Sequence, residues 1–165
     1  MPKTLLNRGI KLSFTIVTLL VASAINTVAY AQEVPPPIFG DIRVGGKFSP
    51  DPLVVRGMSG GSIPARRVVG KAETATGPCT GFVNEEPGHT LELTSKFNYL
   101  KLQVYSPEDT TLIVTGPGGS WCNDEFDGEN PGIVGEWLPG TYKIWIGSYN
   151  RNRYLPYTLE ITEAD

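Results

Sequence analysis

The densest chemistry in the chain is acidic. Cys122-Asn123-Asp124-Glu125-Phe126-Asp127-Gly128-Glu129-Asn130 sets four carboxylates and two side-chain amides within nine residues. Hard cations such as Ca²⁺ take about six to eight oxygen ligands, and loops dense in Asp, Asn and backbone carbonyls supply them. The string is not an EF-hand, because the ligand spacing and the closing Glu are missing. Asp109 lies just before an apolar run starting at Thr111, and a turn at Pro117-Gly118-Gly119 would fold that run onto residues 120–123. Asp109 and Asp124 would then meet. A calcium site drawn from Asp109, Asn123, Asp124 and Asp127 is one expectation; a solvated loop in which Asn, Asp and Gly make turns is the other.

Gly57-Met58-Ser59-Gly60-Gly61 is the next candidate, since it is similar to the Gly-Asp-Ser-Gly-Gly around the nucleophile of chymotrypsin-like peptidases. Met58 stands where that motif has Asp, and no His precedes Ser59. The single histidine, His89, follows it, and a triad is defined by geometry rather than order. A hydrolase using Ser59 and His89 is therefore kept as the alternative to a non-catalytic module. The competing reading makes the string a Gly-rich turn and His89 a surface residue at a strand start.

Aromatic residues form a third group. Tyr99, Tyr105, Trp145 and Tyr149 would share an outer sheet face if their strands lie side by side, and a flat aromatic surface can hold sugars or extended polypeptide. Because exposed Trp is costly without a partner, the favoured reading places Trp145 under a loop or against residues 32–75. Cys79 and Cys122 are the two cysteines. In an oxidising compartment an isolated pair is most often a disulfide, which for a loop of this size would stabilise by roughly 4 kcal/mol. A metal or redox pair is the alternative, without CxxC spacing to support it.

That compartment is implied by the N-terminus. Lys3, Arg8 and Lys11 precede an uncharged run over residues 12–25 (LSFTIVTLLVASAI), and Ala29-Tyr30-Ala31 offers small side chains for signal peptidase. Residues 1–31 read as a cleaved signal peptide, with the mature chain starting at Gln32. The run of 14 residues falls short of the roughly 18–20 needed to span a bilayer, so no membrane span should remain after cleavage. The expected location is periplasmic or extracellular. Removing the leader takes Lys+Arg from 14 to 11 against 17 Asp+Glu, a net charge of −6. Nucleic acid and anionic membrane, which need clustered cations, are poor partners for such a chain.

The elements that must position these residues read as strands. Residues 32–37 (QEVPPP) form a Pro-rich tether, and residues 38–165 are expected to make a single domain. Short β-branched and aromatic runs recur at roughly ten-residue spacing, with no sustained helical period outside the leader. The best are residues 90–94, 99–105, 111–115, 141–149 and 157–162. Leu100, Leu102 and Val104 alternate with Tyr99, Lys101, Gln103 and Tyr105; Tyr142, Ile144 and Ile146 alternate with Lys143 and Trp145. Such alternation marks antiparallel sheets with one buried face. Asn130-Pro131-Gly132 and Pro139-Gly140 supply turns. Residues 48–57 (FSPDPLVVRG) echo residues 105–116 (YSPEDTTLIVTG), and both precede Gly-Gly-Ser, so the early segment should also hold a strand.

Taken in order, Cys79-Thr80-Gly81-Phe82-Val83, Leu91-Glu92-Leu93, Asp109-Thr110-Thr111-Leu112-Ile113-Val114, Trp121-Cys122-Asn123-Asp124, Pro131-Gly132-Ile133 and residues 140–149 (GTYKIWIGSY) resemble the bacterial pre-peptidase C-terminal domain, in the stand-alone exported form found in cyanobacteria. The likeness covers about residues 77–163. It implies a jelly-roll-like antiparallel β-sandwich that is non-catalytic, with Asp109, Asn123 and Asp124 at the family's acidic strand-end positions. Related modules in secreted collagenases bind substrate polypeptide and calcium. Glu125 and Asp127 replace the Asp-rich continuation common there, and the chain is expected to act without a peptidase domain of its own. The expectation is an exported binding or accessory module, calcium-stabilised, engaging a polypeptide or glycan at the cell envelope. A structural envelope protein without a specific ligand is a further alternative.

Overall fold

A computed structural model describes residues 40–163; the leader and the Pro-rich tether lie outside the described residues. The strands are β1 (Gly40–Val44), β2 (Leu53–Met58), β3 (Ile63–Pro64), β4 (Glu73–Thr74), β5 (Gly77–Pro78), β6 (Phe82–Val83), β7 (His89–Leu93), β8 (Phe97–Tyr105), β9 (Thr110–Gly116), β10 (Gly119–Asn123), β11 (Gly132–Trp137), β12 (Gly140–Ser148) and β13 (Pro156–Thr162). One short helix, α1 (Ala65–Val69), follows β3 and ends at Gly70 in the left-handed conformation. It is a single turn, too brief to leave a 3.6-residue period in the sequence.

Two sheets carry the fold, as the expected all-β sandwich requires. One has four strands in the order β11-β8-β13-β2. The other has seven: β1-β7-β12-β6-β3 form its path, and the β9–β10 hairpin joins through β9 to β12. A two-stranded β4–β5 ribbon makes a third sheet, seated beside β10. One pairing departs from the antiparallel rule, because β1 runs parallel to β7 with Gly40 opposite His89. Ile42 and Val44 are the buried residues of β1, so the strand adds its apolar face to the core while covering an edge of β7.

The core between the sheets comes from the alternation read in the sequence. Leu100, Leu102 and Val104 on β8 meet Tyr142, Ile144 and Ile146 on β12, with Leu159 and Ile161 from β13 and Leu112 and Val114 from β9. Complete burial of a Leu or Ile side chain stabilises by about 1.5–3 kcal/mol, which makes this region the main source of stability. Three aromatic rings pack together beside it. Trp121, Trp137 and Tyr142 have centroids 5.0–6.1 Å apart, and Trp137 Nε1 donates to Leu100 O at 3.0 Å.

A second, smaller cluster lies on the other face of the seven-stranded sheet. Ile113 on β9 and Trp145 on β12 stand opposite each other in register, with parity opposite to the core residues. Cys122 on β10, opposite Ile113, and Val83 on β6 join them from the same sheet, and Ala65 and Cys79 cover them, with Val68 and Val69 of α1 packed alongside. The Cys79–Cys122 disulfide, its Cα atoms 5.1 Å apart, ties that cover to β10. The outer edge of β10 is also bridged by side chains. Cys122 N donates to Thr74 Oγ1 at 2.9 Å, and Thr76 Oγ1 donates to Cys122 O at 2.8 Å.

Candidate functional site

The hairpin expected at the acidic end is present. Gly119 pairs with Gly116 and Asn123 with Leu112, so Pro117-Gly118 makes the turn and Asp124 leaves the ladder beside Thr111. Asp109 and Asp124 converge accordingly. Burial pushes the Asp109 carboxyl above its ordinary range, and the charges of Glu129, Asp124 and Glu125 push it further. Asp124 Oδ2 accepts from Thr80 Oγ1 at 2.8 Å, which ties the acidic end to the segment carrying Cys79.

The other two predicted ligands have different surroundings. Asn123 Nδ2 donates to Thr76 O at 3.2 Å and its Oδ1 accepts from Gly132 N at 2.9 Å, so this amide joins the β4–β5 turn, β10 and β11. Asp127 makes a tight turn with Asn130, each backbone N–H donating to the other's carbonyl. Its charge acts on Tyr105 rather than on Asp109. Among the described residues, no three or more His, Cys, Asp or Glu side chains are grouped as a metal centre would need.

The peptidase-like string has a structural account. Ser59 is fully buried, and its Oγ lies 3.3 Å from Ser148 Oγ, which itself donates to Arg153 O. Gly60 and Gly61 have φ of +98° and +155°, and a Cβ on either would come within 2.0 Å of the backbone of Arg153 or Val83. The chain crosses from one sheet to the other through this passage, and only glycine fits. The sequence reading of His89 as a surface residue is corrected: it begins β7 as expected, but it is 1% exposed. Its Nε2 lies 2.8 Å from the Tyr157 hydroxyl and its ring meets Tyr157 edge-on, linking the two sheets. Desolvation by that burial lowers its pKa, partly opposed by a hydrogen bond to the Gly40 backbone. Ser59 is thus bonded to Ser148 and His89 to Tyr157.

The aromatic residues do not form one face, a second correction. Tyr99 and Tyr105 belong to β8 in the four-stranded sheet, whereas Trp145 and Tyr149 lie on and just beyond β12 in the seven-stranded sheet. Alternation gives parity within a strand but not which sheet the strand joins. Trp145 lies beneath residues 65–85, its Nε1 donating to Glu85 O at 3.4 Å, in keeping with the favoured reading of a Trp under a loop. Tyr149 is 54% exposed.

Two grooves result. In the first, Arg56, Thr158 and Tyr105 stand side by side across β2, β13 and β8. Met58, Pro107 and Pro156 complete a groove of about 570 Å³ there. Met58 and Tyr105 are its exposed apolar side chains, and β2 is the terminal strand of its sheet. The second groove, of about 550 Å³, opens beside the disulfide, between α1 and the segment following β12. Its mixed polar and apolar walls, with Arg66 from α1 and Arg151 from the segment after β12, gave no signal in the sequence, because residues 66, 80 and 151 come to one groove only through the fold.

The arrangement defines an all-β sandwich with a disulfide-tied outer layer and two surface grooves. No family model matches the chain. It is 27% identical over 149 residues to an uncharacterized protein of Synechococcus elongatus, covering 88% of this chain and 94% of that protein. Among solved structures it is similar to the pre-peptidase C-terminal domain of a collagenase from Bacillus anthracis, with a TM-score of 0.43 and 12% identity over 74% of this chain and 94% of that domain.

Proposed function

We propose that the chain is a non-catalytic exported module that holds an extended polypeptide in the first groove, with Ca²⁺ stiffening the acidic end. The observation that carries this reading is the coincidence of an edge strand with an apolar groove. β2 is the terminal strand of the four-stranded sheet, and Arg56 and Met58 from it line the groove beside Tyr105. An added strand would take affinity from main-chain hydrogen bonds and selectivity from alternate side chains seated in such a groove. The Cys79–Cys122 disulfide and the signal-like N-terminus support export. Among the described residues, no helix is long and apolar enough to cross a membrane. The ordered motifs that resemble pre-peptidase C-terminal domains support an accessory role.

Peptides selected from a random displayed library against the disulfide-intact chain, then titrated calorimetrically, test the polypeptide site. Tyr105→Ala should weaken the best peptide about tenfold, the loss of one well-packed aromatic anchor. Selection of no peptide, or unchanged affinity in the variant, overturns the reading. A fluorophosphonate probe should leave Ser59 unlabelled, and labelling would revive the hydrolase alternative. Calcium is tested separately by thermal melting in chelator and in millimolar CaCl₂. Asp124→Ala should abolish a calcium-dependent rise, and an identical wild-type melting temperature in both buffers removes the metal.

A further inference from the structure

The second groove has a chemistry of its own. Arg66 from α1 and Arg151 from the segment after β12 line it, with Tyr149, Asn150 and Phe82. None of its lining residues is Asp or Glu. The ion pairs among the described residues are Arg43–Glu92, Lys96–Glu136 and Arg153–Glu108, so Arg66 and Arg151 bring uncompensated charge to the groove. Arg67 and Lys71 stand close by in sequence, which gathers cations locally in a chain whose overall charge is negative.

We propose that this groove binds a carboxylated glycan, a sugar chain bearing uronic acid residues. Guanidinium forks pair with carboxylates in bidentate fashion, and two of them at one cavity select a planar anion. Tyr149 presents its ring as a platform for the apolar face of a sugar, and the Asn150 amide adds both donor and acceptor capacity for hydroxyls. The volume of about 550 Å³ falls among small-molecule sites.

An extended peptide fits this groove less well. The adjoining edge strand, β3, has only two residues, one of them Pro64 without an N–H, and α1 follows it directly. Strand addition therefore has no ladder to join. The acidic end sets orientation. Thr80 Oγ1, on the groove wall, donates to Asp124, and Tyr149 N donates to Asp109 O at 3.3 Å. A ligand with one carboxylate per ring can direct it toward the arginines and away from these acids, whereas a densely charged polyanion cannot.

Calorimetric titration of the disulfide-intact chain with tetragalacturonate tests the site, with a neutral galactotetraose and hexaglutamate as the other arms. Saturable binding of tetragalacturonate is expected, weakened about tenfold by Arg66→Gln or Arg151→Gln, since each removes a charge-assisted hydrogen-bond pair. Both arginines are exposed, so these variants should keep the wild-type melting temperature. Tyr149→Ala should also weaken binding, and Tyr105→Ala, in the other groove, should leave it unchanged. No binding at about 1 mM ligand, which corresponds to about 4 kcal/mol of binding free energy, overturns the proposal. It is equally overturned if galactotetraose or hexaglutamate binds as tightly, if affinity survives loss of both arginines, or if Tyr105→Ala abolishes it. Failure here leaves the peptide experiment at the first groove unaffected.

Discussion

The two apolar clusters on either face of the seven-stranded sheet are built by different rules. Between the sheets, large aliphatic side chains from β8, β9, β12 and β13 interlock, and hydrophobic burial does the holding. On the outer face Ile113, Trp145, Cys122 and Val83 come from the sheet, and their cover is one helical turn and the segment carrying Cys79, held by a disulfide. The outer cluster is small, so a covalent tie replaces area. What it gains is a surface on which side chains far apart in sequence meet around a groove.

The largest expected effect tests that division. Replacing Cys79 and Cys122 together by Ser should cost roughly 4 kcal/mol by loop-closure reasoning, read by urea denaturation. Amide exchange should show α1 and β5 opening well before β8 and β13. Simultaneous exchange of all four elements would merge the two clusters into a single cooperative unit. Leu102→Ala in the inner core should cost about 3 kcal/mol and lower protection everywhere, including α1. A purely local loss would break the comparison from the other side.

The His89–Tyr157 pair sharpens it through pH. Burial lowers the His89 pKa below its ordinary 6.5, so the stability it reports is fully present above pH 6.5 and is lost as pH falls through the lowered value. Tyr157→Phe should cost about 1 kcal/mol at neutral pH by removing one buried hydrogen bond. His89→Gln should flatten the slope of stability against pH below 6.5, and an unaltered slope would assign the acid sensitivity elsewhere. The smallest effect belongs to Asp109. With its pKa raised, its contribution is most favourable at low pH and is lost as pH rises above the ordinary 3.8. Asp109→Asn should therefore raise the melting temperature slightly at pH 7 in chelator. If Asp109 is a calcium ligand, the same variant should lose any rise caused by CaCl₂.

The inner core was legible because its strands are runs of β-branched and aromatic residues, alternating along β7 and β13 and continuously buried along much of β9 and β12. Residues 90–94, 99–105, 111–115, 141–149 and 157–162 were expected as strands, and β7, β8, β9, β12 and β13 match them to within one or two residues at each end. The strand implied by the echo of residues 48–57 is β2. β11 was not legible. Gly132 and Gly135 dilute its β character, and a register shift between Gly135 and Trp137 breaks its alternation. The approach of Asp109 to Asp124 followed from a hairpin, which is local. The division of the aromatic residues between two sheets, and the burial of His89, depend on which strands pair at long range. Periodicity does not carry that information.

The threonine pair beside β10 has a consequence for solubility. A sheet margin with free N–H and C=O groups invites another copy of the chain to dock there and grow into a fibre. At Cys122 both groups are already taken, by the hydroxyls of Thr74 and Thr76 acting as a short imitation strand. The bonded cysteine beneath keeps that imitation in place. The same tie that assembles the outer groove thus also guards the margin against self-assembly.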